Sequence, residues 1–107
     1  SLDPAPPLRP LEPPSIFTYF DRVARFGSIR RAAESLHIAS SALNRRILDL
    51  EQDFGTPLFE RLPRGVRLTA AGEIYLAFVR RSLKEFQKLE SEIEGLKRQR
   101  HGLVRIA

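Results

Sequence analysis

The 107 residues contain no cysteine, which removes disulfide frameworks and thiolate metal sites. Two isolated histidines, His37 and His101, are too few and too scattered to build an imidazole site, so no metal and no cofactor is expected. No apolar run approaches the roughly 20 residues that a membrane-spanning helix needs, and the proline-laden start does not read as a signal peptide. The expectation is a soluble, cytoplasmic chain with no membrane partner. A length of 107 residues with 42% apolar content suits one domain with one modest core.

What the chain does have is positive charge. Eighteen basic residues against 13 acidic ones leave +5, and 15 of the basic residues are arginine, whose planar fork suits phosphates and guanine edges. The balance favours an anionic partner and places nucleic acid among the candidates.

Six prolines fall in the first 14 residues, so residues 1–14 cannot sustain a helix or a central strand and read as an extended, flexible leader. Order is expected from Ser15, an N-cap for a first helix over Ile16–Arg25 that stops at Gly27. Ser28 or a neighbour then opens a short second helix ending near His37. Its Ala32, Ala33 and Leu36 make a face small enough for another helix to approach closely. Ile38 and Ala39 turn into a third helix over Ser40–Phe54, closed by Gly55 and Pro57. At about 100° per residue, Leu43, Ile47, Leu50 and Phe54 share one face and are expected in the core. Ser41, Asn44 and Arg45 project from the opposite side of the first turns, whereas Asp49, Glu51 and Asp53 load the later turns with negative charge. Only the N-terminal half is therefore suited to lie against phosphates. The plainer alternative has Ser40 as a helix cap, Arg45 and Arg46 solvated, and the acids in surface salt bridges.

The stretch PLFERLPRGVRLT reads as a β-hairpin with Arg64 near its tip, and Arg61, Arg64 and Arg67 add positive field beside the third helix. Thr69 is placed to cap a long fourth helix from Ala70, with Glu73 in the first turn where the helix dipole favours an acid. In that helix Leu76, Val79, Leu83, Phe86, Ile93 and Leu96 follow alternating three- and four-residue steps, while Ile74, Tyr75 and Phe78 lie on an adjoining flank. A chain this short has nothing else to cover the distal half. The expected assignment is the flank on the helical body and the seam on a second subunit. Gly102 is expected to end the helix, and LVRIA at 103–107 to begin a strand.

Three helices, a basic hairpin and a long apolar-seamed helix, in this order, resemble the N-terminal region of LysR-type transcriptional regulators. The resemblance is carried by RAAESLH at 31–37, Leu50 and Glu51, Phe54 and Gly55, LFER at 58–61 and LTAAGE at 68–73, in the family's order and spacing. It implies a mainly α fold, a winged helix-turn-helix over 15–69 followed by a linker and dimerisation helix over 70–101. It also implies that 102–107 is the truncated start of an effector-binding domain, the only place a small-molecule effector would act. By position, Ser40, Ser41, Asn44 and Arg45 become the expected readers of a major groove and Arg64, with Arg67, the wing contacts. Arg30 and Arg31 are expected to position the DNA backbone at the start of the second helix. The expected partners are double-stranded DNA and a second copy of the chain, and the intact protein has scope for a tetramer.

The chain departs from the family pattern in the reading segment. Ala39, Ser40 and Ser41 stand where a serine, a glutamine and then proline or serine are common, Asn44 where serine is frequent, and Arg30 where threonine is common. Serine reaches less far than glutamine, so a divergent operator or greater reliance on phosphate contacts and DNA shape is expected. Two other classes compete. A protein-interaction module would use the same apolar seam with the arginines serving solubility. An enzyme has least support, because no nucleophile, base and orienting-acid set, no phosphate-cradling glycine loop and no metal spacing is present.

Overall fold

A computed structural model of the chain describes residues 12–106, with side chains described over 12–100. The expected leader lies outside the described residues over 1–11, as does residue 107. The elements run α1 (Ser15–Phe26), α2 (Ile29–Leu36), α3 (Ser40–Phe54), β1 (Phe59–Leu62), β2 (Gly65–Leu68) and α4 (Ala70–Ile106).

Local chemistry accounts for most boundaries. Pro14, not Ser15, occupies the N-cap position of α1, and its carbonyl accepts from Phe17 N at 3.0 Å. Ser15 lies inside the first turn, and its hydroxyl accepts from Arg46 Nη2 at 3.3 Å. The Ser28 hydroxyl caps α2 by accepting from Arg31 N at 3.1 Å, leaving one fewer orphan donor in its first turn. His37 closes α2 in the left-handed region at φ 58°, which lets Ile38 N reach back to Ala33 O at 3.1 Å. Thr69 caps α4 as expected, accepting from Gly72 N at 3.0 Å and donating to Pro57 O at 2.8 Å.

Phe20, Val23, Ala32, Ala33, Leu43, Ile47, Leu58, Phe59 and Leu76 form the core. Its centre is aromatic: the Phe20 ring lies 4.8 Å from Phe59 and 4.7 Å from Tyr75, the latter pair edge to face. Thus β1, through Phe59, and α4, through Tyr75 and Leu76, meet on α1. The alanines of α2 bring α2 and α3 together as their small size allows. Phe54, expected in the core, is 55% exposed. It is the last residue of α3, and its ring meets the edge of Tyr75 at 5.3 Å instead.

The strands pair antiparallel with Phe59 opposite Leu68, Glu60 opposite Arg67, Arg61 opposite Val66 and Leu62 opposite Gly65. Pro63 and Arg64 form the two-residue turn. Alternation puts Phe59, Arg61, Val66 and Leu68 on the core side, with Glu60 and Arg67 on the other. Glu51 of α3 holds the start of this hairpin, its Oε2 accepting from Leu58 N at 2.7 Å and Phe59 N at 3.0 Å.

Two sequence expectations for α4 change. The helix continues through Gly102 to Ile106 instead of stopping for a strand. A helix satisfies its backbone within itself, whereas a strand needs a neighbour, and one helical glycine costs only about 1 kcal/mol relative to alanine. The seam also turns over. Leu76 and Val79 are buried within the protomer, Leu83 and Phe86 are half-buried, and Ile74 and Phe78 are exposed. The body of the fold covers the side of α4 that carries Tyr75, Leu76, Val79 and Leu83. Left facing solvent is a stripe of Ile74, Phe78, Leu89, Ile93 and Leu96. Phe78 meets the body edge to face at Phe17, with ring centres 5.6 Å apart.

Candidate nucleic-acid interface

The first turn of α3 is open. Its N-cap position is Ala39, and no side chain caps it. Ser40 therefore does not serve as a cap, and the first N–H groups of the helix are left to outside acceptors. Beside them Ser40, Ser41 and Arg45 are exposed, and Asn44 is half-buried. An uncapped helix start combines unpaired donors with the positive end of the helix dipole, the arrangement that suits a phosphate.

The outward stripe of α3 continues from Ser41 and Arg45 to Leu48, Asp49 and Gln52, all exposed. Leu48, at 41% exposure, was not marked by the sequence reading. An apolar side chain is ordinary on an amphipathic helix, and only its orientation, opposite the core face, singles it out. Arg46 points elsewhere. Its guanidinium lies 5.3 Å from the Tyr19 ring centre and donates to Ser15, so it ties α3 to α1.

Several expected contact residues are paired within the chain. Arg45 Nε lies 3.5 Å from Asp49 Oδ1, Arg30 Nη1 is 2.7 Å from Glu34 Oε1, and Arg67 Nη2 is 3.0 Å from Glu60 Oε2. All six side chains are more than half exposed, and such surface pairs contribute at most about 1 kcal/mol. Phosphate can displace these carboxylates at little cost. The Arg31 guanidinium stacks over the Phe26 ring at 5.3 Å. Arg64, in the hairpin turn, has no ion pair among the described residues.

Two links bring these parts together. Val66 N donates to Gly27 O at 3.0 Å, so the start of β2 sits against the α1–α2 junction, three residues before Arg30 in the chain. Arg61 Nη1 donates to Asn44 Oδ1 at 2.8 Å, joining the hairpin to the first half of α3. Arginines from α2, α3 and the hairpin thereby belong to one framework. Arg61, read in the sequence only as part of the positive field, is the residue that makes the second link.

Behind this surface, Asp21 ties the body to α4. Its carboxylate accepts from Arg25 Nε at 2.8 Å and from Arg80 Nε at 2.9 Å. Burial disfavours the charged carboxylate, yet the hydrogen bonds and positive charges of Arg25 and Arg80 outweigh burial and hold its pKa below the ordinary 3.8.

A three-helix body, an open third helix, a basic two-stranded wing and a long C-terminal helix define a winged helix-turn-helix protein. Residues 16–73 match the family described as bacterial regulatory helix-turn-helix protein, lysR family, and the chain belongs to that family. The HTH-type transcriptional regulator ClcR of Pseudomonas putida is 52% identical over 65 residues, 61% of this chain and 22% of that protein. The HTH-type transcriptional regulator TfdT of Cupriavidus pinatubonensis is 39% identical over 88 residues, 82% of this chain and 39% of that protein. The chain thus spans well under half the length of these relatives. The crystal structure of the CbnR DNA-binding domain in complex with DNA superposes with a TM-score of 0.69 at 35% identity, covering 75% of this chain and 92% of that one.

Proposed function

We propose that this chain is the DNA-binding part of a LysR-type transcriptional regulator and binds double-stranded DNA sequence-specifically as a homodimer. The observation that carries the reading is the uncapped start of α3, where Ser40, Ser41 and Arg45 stand exposed on the side away from the core. In this reading α3 enters the major groove and Arg45 reads a guanine edge or grips a phosphate. Arg64 at the wing turn reaches the adjacent backbone or minor groove, while Arg30 and Arg31 hold phosphates near the start of α2. The role is binding, not catalysis, and it is exercised in the cytoplasm. Among the described residues no helix is long and apolar enough to cross a membrane.

The second copy is proposed to cover the outward stripe of α4. Ile74 and Phe78, with Phe54, Thr56, Leu58, Ala71 and Tyr75, line an apolar groove of about 460 Å³. Leu89, Ile93 and Leu96 continue the stripe along the distal half of α4, where the helical body no longer reaches. A two-fold pairing that lays each distal stripe over the partner's groove buries both.

The test is selection of preferred duplexes from a randomised library. A two-fold-related motif with half-sites about one helical turn apart, bound with steep salt dependence, is the expected result. Enrichment of no sequence, with salt-insensitive binding, overturns the reading in favour of a protein-interaction module.

A further inference from the structure

Asn44 has a carboxamide with one acceptor and two donors, and a free asparagine in a major groove can pair with adenine through both ends. Here one end is already engaged. Arg61 Nη1 lies 2.8 Å from the Asn44 carboxamide oxygen. A guanidinium only donates, so the atom facing it has to be the oxygen, and the amide NH₂ is turned away. The hold on Asn44 is itself anchored at several points. Arg61 sits opposite Val66 in the hairpin register, Val66 N is bonded to Gly27 O, and the strand's first residues hang on Glu51. Asn44 and Glu51 are seven residues apart, on the same edge of α3. The wing is thereby attached to that edge at two places, one structural and one within the reading half of the helix.

We infer that Arg61 is a positioning residue that holds the Asn44 oxygen toward the wing and turns the amide NH₂ to the base, so that the base pair facing Asn44 is read through the amide hydrogens and guanine is selected over adenine. The inference rests on the DNA-binding reading above and names one specificity within it. Guanine offers two neighbouring acceptors, O6 and N7, to the two amide hydrogens. Adenine offers N7 beside its own N6 amino group, which meets a second donor with no acceptor between them. A charge-assisted hydrogen bond of this length holds the carboxamide plane more firmly than a neutral one. Once DNA excludes water from the interface, the bond is harder to exchange.

The experiment compares the library-selected motifs of the wild-type chain, Arg61→Met, Asn44→Ser and the double variant, with salt dependence measured on the wild-type site. Arg61 is exposed, and thermal melts are expected to show all four chains folded. The expected wild-type motif carries guanine at one position per half-site. In Arg61→Met that guanine preference falls by about tenfold and adenine rises there. In the Asn44→Ser background the same Arg61 change leaves that position unmoved. A motif shared by wild type and Arg61→Met overturns the inference alone, as does equal weakening on every sequence with a shallower salt slope, which marks Arg61 as a phosphate contact. A wild-type chain that enriches nothing overturns the DNA-binding reading and this inference with it. In the free chain, the Asn44 side-chain amide resonances are expected to shift in Arg61→Met, and their failure to move overturns the hydrogen bond without reference to DNA.

Discussion

At Gly65 the backbone sits at φ +121°, and any side chain there would run into the carbonyl oxygen of Gly27. Both the left-handed conformation and the missing side chain are needed, because Val66 N must reach that same carbonyl. Gly65→Ala is expected to destabilise the fold by about 2 kcal/mol or more, since a strained backbone alone costs roughly 1–3 kcal/mol. Urea denaturation of the two chains measures it, and an unchanged midpoint would show that the junction relaxes freely. Arg45 sits at the other extreme. Its side chain is 76% exposed and loosely paired with Asp49, so Arg45→Ala should leave the melting temperature within a degree or two. On the selected duplex the same change is expected to weaken binding by about 1–3 kcal/mol and to relax one base position per half-site. Library selection with the variant checks this, and an unaltered sequence preference would remove Arg45 from the set of readers. In the proposed reading the two residues separate what shapes the interface from what meets the DNA. Gly65 has no side chain and Arg45 is paired only loosely with Asp49 on an exposed surface, so neither role can be exchanged for the other.

Between elements, Asp21 is the clearest coupling, a buried carboxylate of α1 shared by Arg25 of α1 and Arg80 of α4. Hydrogen bonds to charged groups contribute about 1.5–3 kcal/mol each when buried, but both arginines are substantially exposed, so Asp21→Asn is expected to cost about 1–2 kcal/mol overall. The pH dependence has a definite sign. A carboxyl whose folded pKa lies below its unfolded one stabilises the fold fully above the unfolded value and loses that contribution as the pH falls through the folded one. The difference in melting temperature between wild type and Asp21→Asn should therefore be constant near neutrality and shrink as the pH drops below 3.8 toward the lowered folded value. A gap that stays constant in acid would mean that the arginines do not hold the proton off. This ion-pair bridge was not legible in the sequence, because its partners are 59 residues apart. The helices themselves were legible, since Ser28, Thr69, Gly27 and Gly55 act through neighbours within one turn. Glu51 shows the boundary between the two cases. Its charge reads as helix surface, and only the fold reveals that Leu58 N and Phe59 N are its partners.

On the scale of the whole molecule, α4 is a helix with two apolar sides, and periodicity alone does not say which side meets which neighbour. Both sides are visible in the sequence, and Tyr75 packs on the body as expected, but the other proximal residues exchange places. Leu76 and Val79 keep the three- and four-residue steps of a seam, yet the docking of α1 on α4 buries them, and Ile74 and Phe78 are left outside. In the distal half Ile93 and Leu96 are exposed, with no body beside them to compete for their faces. The two sides make opposite predictions for substitution. Leu76→Ala removes a core side chain and is expected to destabilise the fold by about 2–5 kcal/mol, seen as a lower melting temperature at every protein concentration. Leu96→Glu, at a position 62% exposed, should leave secondary structure by circular dichroism unchanged while shifting sedimentation from two chains toward one. Ile74→Glu, 74% exposed at the other end of the stripe, is expected to have the same effect if one copy's distal stripe lies in the other's groove. Weakened association from Leu96→Glu but not from Ile74→Glu would restrict the contact to the distal halves of the two helices. A second copy that persists in both variants would mean that some other surface holds it. In the proposed dimer a pair of α4 helices fixes the spacing of two third helices, so loss of association should also remove the two-fold motif and leave only half-site binding.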